Sequence, residues 1–166
     1  MIELSRGGQP LRLFLDAGVI IQGCLVPWGA AKGVLVLATL RDRYTIVLAE
    51  AIEREVQRAV VNLTATREPE LSMALAQSIG GWLDRVRIER HPFPSDHAIR
   101  AKLPQLLPAL KHANDLPAIV TAIEARPDWV ISGNHEHWNP ELARRTNLRI
   151  VTPLDFLQHL STGHGP

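Results

Sequence analysis

The sequence predicts an α/β domain of three layers, with helices on both faces of a central, mainly parallel sheet of four to five strands. Short apolar segments alternate with longer amphipathic ones along the chain, which is the pattern of successive β-α units. With 166 residues, of which 46% are hydrophobic and 21% charged, the chain can bury a core of this size. We therefore expect one domain over residues 1–166, with a core of about residues 11–160 and a disordered tail over residues 161–166.

The first strand is the clearest element of the pattern. Four of the five residues from 11 to 15 are large and apolar, which is typical of a central strand covered on both faces. The run ends in Asp16, and Gly18 follows two residues later. Beyond it, the pattern predicts helices over residues 19–25 and 30–40, a strand over 45–48, and helices over about 49–63 and 71–83.

The second half continues the alternation with weaker signals. Ser95 is a suitable cap for a helix that begins near Asp96, and we expect Pro104 and Pro108 to interrupt that helix. The remaining pattern predicts strands over residues 86–88, 129–132 and 150–151, and helices over about 115–124 and 153–160.

Composition excludes several classes of protein. The net charge is only +1, so a nucleic-acid partner would have to bind a local basic patch, such as Arg41, Arg43, Arg54 and Arg58. The single Cys24 excludes an internal disulfide and a cysteine-based zinc site. The sequence contains no apolar run of membrane-spanning length and no signal-peptide pattern, so we expect a cytoplasmic protein without a membrane partner.

Several acidic residues lie at or after the carboxyl ends of predicted strands, where the fold can bring their side chains together. Asp16 ends the first strand, Glu55 lies in the helix after the second, and Asp115 opens a later helix. The turn from Ser132 through Asn134 leaves the fourth strand. Because the carboxyl ends of parallel strands share one edge, we expect these groups to converge there. Clustered oxygen ligands suit Mg²⁺ or Mn²⁺, and without a cation the carboxylates would repel one another.

Each acid also has a structural interpretation. Asp16 can cap the following helix, and Asp115 can favour the dipole of its helix. Glu55 alone is more typical of a solvated helix residue, and the neighbouring Glu53 faces elsewhere on the same helix. His135 and His137 lack the helical spacing of a zinc-binding His-Glu-x-x-His motif.

The order of these motifs resembles the PIN-domain family. The matching segments are LFLDAGVII, EREV, ANDLPAIVTAI, WVISGNHEHW and RIVTPLDFLQHL. The family comprises metal-dependent ribonucleases, including the VapC-type toxins of toxin–antitoxin modules. The resemblance implies a PIN-like fold, an RNA substrate, an antitoxin partner and a homodimer. It also implies that Asp16, Glu55 and Asp115 hold Mg²⁺ or Mn²⁺.

The fourth position of the family motif departs from the usual pattern. The family reads Thr/Ser-x-Asp there, whereas this chain reads Ser132-Gly133-Asn134. An amide can offer a carbonyl oxygen to a metal but brings no charge. Glu136 or His137 could compensate, and Ser132 could hydrogen-bond a carboxylate or a bound water.

Three hypotheses for the function follow. The first is a metal-dependent endoribonuclease with Asp16, Glu55, Asp115 and Asn134 as its site. The second, favoured by Asn134, is a catalytically impaired PIN-like module that binds RNA or a protein. The third is a small-molecule hydrolase that uses the same acids. Metal-dependent cleavage of RNA distinguishes the first from the other two.

Overall fold

The computed structural model describes residues 8–162, which form an α/β/α fold around one parallel sheet. The strand order is β3-β2-β1-β4-β5, and every neighbouring pair is parallel, which confirms the predicted sheet and its strand number. β1 is central because its apolar residues are buried on both faces. The strands are β1 (Leu11–Leu15), β2 (Tyr44–Ala49), β3 (Ile88–His91), β4 (Trp129–Ile131) and β5 (Ile150–Val151).

Eight α-helices connect and cover the strands within the described residues. α2 packs against α8, while α5 packs against α6 and α7. α3 contacts both α1 and α6. The helices are α1 (Ala17–Leu25), α2 (Ala30–Ala38), α3 (Glu50–Ala65), α4 (Pro69–Leu83), α5 (Asp96–Leu106), α6 (Leu116–Ala125), α7 (Pro140–Thr146) and α8 (Pro153–Thr162).

Aromatic packing fixes the two faces of the sheet. On one face, Phe156 of α8 makes edge contacts with Tyr44 and Trp129. On the other face, Phe14 packs against Trp138, with ring centroids 5.6 Å apart. Both rings of this second pair are buried, so Trp138 anchors the loop after β4 to the centre of the sheet.

Two local predictions are wrong, and one helix was not predicted. β3 spans Ile88–His91 and so begins where we expected it to end. Pro104 lies inside α5 and does not end it. α7 was not predicted, although Asn139 caps it by accepting a hydrogen bond of 2.9 Å from the Leu142 N–H.

The first two residues of the predicted disordered tail are helical. Residues 161 and 162 are the last two of α8, whereas residues 163–166 lie outside the described residues.

Within residues 8–162, no single helix is long and apolar enough to cross a membrane. α1 and α2 pass that test only as a pair, and the pair is bent by 98°.

Candidate active site

The carboxyl edge of the sheet brings the predicted acids to one cavity of about 420 Å³. The Asp16 N–H donates to the Ile131 carbonyl at 3.0 Å, which joins the ends of β1 and β4. α3 follows β2 without a loop, and this places Glu55 on the same side. The lining residues that carry polar side chains are Asp16, Gln22, Glu55, Arg58, Asn114, Asp115, Asn134, His137 and Trp138.

Asp16 is both a helix cap and a residue of the cavity. Its Oδ1 accepts a hydrogen bond from the Ala17 N–H at 2.9 Å, and its Oδ2 accepts one from the Ser132 hydroxyl at 2.8 Å. Burial raises the pKa of Asp16, and the nearby Asp115 charge raises it further, against the lowering effect of these hydrogen bonds. A buried carboxylate with neutral partners only is suited to hold a cation.

Glu55 is the acid of α3 that reaches the cavity. Burial is the main cause of its raised pKa, and the charges of Asp16 and Asp115 add to it. The three carboxylates are therefore close enough to repel one another electrostatically. Glu53 instead lies 3.6 Å from Arg90, and Glu50 lies 2.7 Å from Arg54. The predicted orientation of α3 therefore agrees with the structure.

Asp115 carries a buried atom without a hydrogen-bond donor. It is the last residue of the 3₁₀ turn Ala113–Asp115, directly before α6. His137 Nδ1 lies 3.1 Å from Asp115 Oδ2, within reach of an ion pair when the imidazole is protonated, but Oδ2 accepts no hydrogen bond within the described part of the chain. The imidazole of His137 also contacts that of His112 in a tilted arrangement, with ring centroids 4.7 Å apart. An unpartnered buried carboxylate oxygen suits a cation.

Asn134 has a structural role in the turn after β4. Its Oδ1 accepts hydrogen bonds from the N–H groups of Glu136 and His137, at 3.2 and 3.3 Å. Its own N–H donates to the buried Ser132 hydroxyl at 3.0 Å. Ser132 thus connects Asp16 to the turn. Asn134 still lines the cavity, but much of the capacity of its carbonyl oxygen is used by the backbone.

The candidates for compensating the missing fourth acid are placed differently. His137 lines the cavity beside Asp115. Glu136 and His135 are exposed and do not line it. The expectation that Glu136 could complete the site therefore has no support in the arrangement of side chains.

Two polar residues of the cavity, Gln22 and Asn114, were missed in the sequence, and a third, Arg58, was named only as part of a possible basic patch. Gln22 lies on the α1 face that Val19 also occupies, Arg58 lies three residues after Glu55, and Asn114 directly precedes Asp115. The i, i+3 spacing of Glu55 and Arg58 was the one local signal available, since residues three apart share a helix face.

The donor set fits Mg²⁺ or Mn²⁺ in chemistry, although the groups are spread around the cavity. Within residues 8–162, no three His, Cys, Asp or Glu side chains converge closely enough to form a metal-binding cluster. Three carboxylates with mutual repulsion and the unpartnered Asp115 oxygen nevertheless provide the charge and oxygen ligands that these ions prefer.

Comparison with solved structures identifies the fold. The structure of VapBC2 from Rickettsia felis, bound to a DNA fragment from their promoter, matches with a TM-score of 0.62 and 15% sequence identity. That match covers 86% of this chain and 98% of the other. PAE2754 from Pyrobaculum aerophilum matches with a TM-score of 0.57 and 15% identity, over 92% of this chain and 90% of the other. The fold is that of a PIN domain.

The PIN-like fold agrees with the resemblance found in the sequence. No protein-family model and no curated protein sequence matches the chain. At 15% identity the structural likeness establishes the fold, and the activity has to be argued from the site.

Proposed function

We propose that this protein is a divalent-metal-dependent endoribonuclease that hydrolyses RNA phosphodiester bonds. The observation that carries the proposal is the meeting of Asp16, Glu55 and Asp115 at one cavity, with Asp115 Oδ2 buried and without a donor. Such an arrangement is electrostatically unfavourable by itself and becomes favourable around a cation.

Asp16, Glu55 and Asp115 would hold Mg²⁺ or Mn²⁺, directly or through water. The bound ion would lower the pKa of a bound water and offset the charge that develops on the phosphate. The Ser132 hydroxyl and the Ala17 N–H fix the carboxylate of Asp16, so its orientation does not depend on the substrate.

Other residues of the cavity act on the phosphate and on Asp16. Arg58, which lines the same cavity, can pair with a phosphate oxygen. Trp138, buried in the wall of the same cavity, directs its indole N–H at Asp16, which favours the charged form of that carboxylate.

The test is cleavage of single-stranded RNA by the wild type and by Asp16→Asn, titrated with Mn²⁺. We expect the substitution to lower the cleavage rate by several orders of magnitude, because a ligand charge is lost with little change of volume. Asp84→Asn, at the exposed end of α4, is the matched control and should cleave at the wild-type rate. Equal rates for wild type and Asp16→Asn would contradict the proposal.

A second candidate function is a PIN-like module that binds RNA or a protein without cleaving. Asn134 in place of an acid favours it, as does the lack of three converging metal ligands among residues 8–162. RNA binding without cleavage, in both the wild type and Asp16→Asn, would support this candidate.

We also propose that the protein works in the cytoplasm as the toxin of a toxin–antitoxin module, with an antitoxin partner and as a homodimer. The likeness to VapBC2 supports the module. Exposed apolar side chains support a dimer surface: Trp28, Val36 of α2 and Leu154 of α8 are 74%, 57% and 55% exposed.

A further inference from the structure

A second cavity, of about 630 Å³, adjoins the acidic one. Glu55, Arg58 and Asn114 line both, so the two cavities are neighbours on α3. The two cavities differ in the chemistry of the side chains that line them. The acids lie mainly at the first, whereas the second cavity is lined by cationic, amide and aromatic side chains, among them Arg54, Gln57, Asn62 and Phe93.

A stacked pair of side chains forms one wall of the second cavity. The Arg54 guanidinium carbon lies 4.4 Å from the centre of the Phe93 ring. Both groups remain accessible, because the Arg54 side chain is 56% exposed and Phe93 is 37% exposed. Because the guanidinium lies over one face of the ring, a nucleobase can stack on the exposed outer side of either group, the guanidinium plane or the ring.

Glu50 holds this pair in place. One carboxylate oxygen accepts a hydrogen bond from Arg54 Nη2 at 2.7 Å, and the other accepts one from the Phe93 N–H at 2.9 Å. The Phe93 N–H and then Arg54 lower the pKa of Glu50, so the carboxylate stays charged. The loop after β3 is thereby fixed against α3, and the stacking surface is preformed.

Arg58 lies between the two cavities and is available for a phosphate. It forms no salt bridge with another residue in the described range 8–162. An unpaired arginine beside a group of carboxylates gives up no existing ion pair when it binds a phosphate.

We propose that the second cavity binds a nucleotide next to the cleaved phosphodiester of single-stranded RNA. The base stacks on the Arg54–Phe93 pair, and Arg58 pairs with the phosphate between that nucleotide and the acidic cavity. The inference rests on the proposed ribonuclease function. It assigns the single-stranded class of substrate, since a base can reach this surface only when it is unpaired.

The test is the affinity for a short fluorescein-labelled oligouridine, measured by anisotropy in EDTA so that no metal-dependent cleavage occurs. We expect Phe93→Ala to weaken binding by about tenfold, and Phe93→Tyr, which keeps the ring, to bind like the wild type. Arg58→Ala should weaken binding and make the slope of log affinity against log salt shallower by about 0.7, because one phosphate contact is lost. Phe93→Ala should leave that slope unchanged.

The matched control is Arg144→Ala. Like Arg58, Arg144 is an exposed arginine, but it is paired with Glu141 at 2.6 Å and lies on α7, outside both cavities. The control should bind RNA like the wild type. Circular dichroism of each variant checks that the fold is retained.

Two outcomes would overturn the inference: equal affinities for wild type and Phe93→Ala, or an effect of Arg144→Ala as large as that of Arg58→Ala. Failure of the proposed function has a different signature. In that case Phe93-dependent binding of RNA persists in EDTA, but Mn²⁺ produces no cleavage by the wild type.

Discussion

At the scale of single residues, Asp16 unites two interpretations that the sequence presents as alternatives. One carboxylate oxygen caps α1, and the other faces Ser132 at the edge of the cavity. The residue that ends the central strand is therefore also the best supported point of the site, because the cap fixes the orientation of the charge. Asn134 shows the reverse, since its side-chain oxygen mainly serves the turn.

Asn134→Asp tests the charge of the fourth position. A carboxylate can still accept the N–H groups of Glu136 and His137, so we expect the turn to be retained. The added charge should tighten Mn²⁺ binding by about tenfold, which corresponds to about 1.4 kcal/mol. Calorimetric titration of Mn²⁺ measures this effect.

Asn147→Asp is the control for Asn134→Asp. It adds the same charge at the exposed end of α7, outside the cavity, and should leave the affinity for Mn²⁺ unchanged. If Asn134→Asp also binds Mn²⁺ with wild-type affinity, Asn134 acts only as a cap.

At the scale of elements, the orientation of α3 decides which acid reaches the site. Residues two positions apart point about 200° apart on a helix, so Glu53 and Glu55 have different environments. The apolar spacing of α3 predicts this orientation because Ile52 and Val56 must face the core. Periodicity is local information, and it is reliable here because α3 is long and strongly amphipathic.

Glu55→Gln and Glu53→Gln form a matched pair of variants on α3. We expect Glu55→Gln to weaken Mn²⁺ binding by about tenfold or more. Loss of a residue that only hydrogen-bonds a metal ligand already costs about tenfold in affinity, and Glu55 is proposed to be a ligand itself. Glu53→Gln should leave the affinity unchanged, because Glu53 pairs with Arg90 away from the cavity. The opposite ranking in a Mn²⁺ titration would place the metal elsewhere on α3.

The sequence predicts strands and acids well, but it does not predict pairs of residues distant along the chain. The apolar runs and helix faces predicted the sheet, and together with the family resemblance they selected Asp16, Glu55 and Asp115, which line one cavity in the structure. The contact between Arg54 and Phe93 joins α3 to a loop almost forty residues later, and no local pattern indicates it. The helix that begins near Asp96 was predicted, but its continuation through Pro104 was not, since surrounding packing can outweigh the preference of a single residue.

At the scale of the whole molecule, the acids of the cavity and the ion pairs elsewhere change the stability of the fold in opposite directions as the pH rises. Hydrogen bonds from Arg12 lower the pKa of Glu89 to about 2. The Arg12–Glu89 pair therefore stabilises the folded state at pH values above the usual pKa of a glutamate, and this contribution is lost as the pH falls towards 2. The raised pKa values of Asp16 and Glu55 act in the other direction. The folded protein binds more protons than the unfolded chain in their titration range, so their contribution to stability falls as the pH rises.

A divalent ion should remove this penalty, and thermal unfolding with Mn²⁺ or EDTA at several pH values measures it. At pH 7, Mn²⁺ at a hundred times its Kd should raise the Tm by about 5–10 °C, from about 2.7 kcal/mol of binding free energy. The shift should shrink towards pH 4, because protons then compete for the same carboxylates. Asp16→Asn should show little shift with Mn²⁺ and, in EDTA at pH 7, a Tm at or above that of the wild type. A lower Tm for Asp16→Asn in EDTA, together with no effect of Mn²⁺ on the wild type, would make Asp16 a structural cap alone.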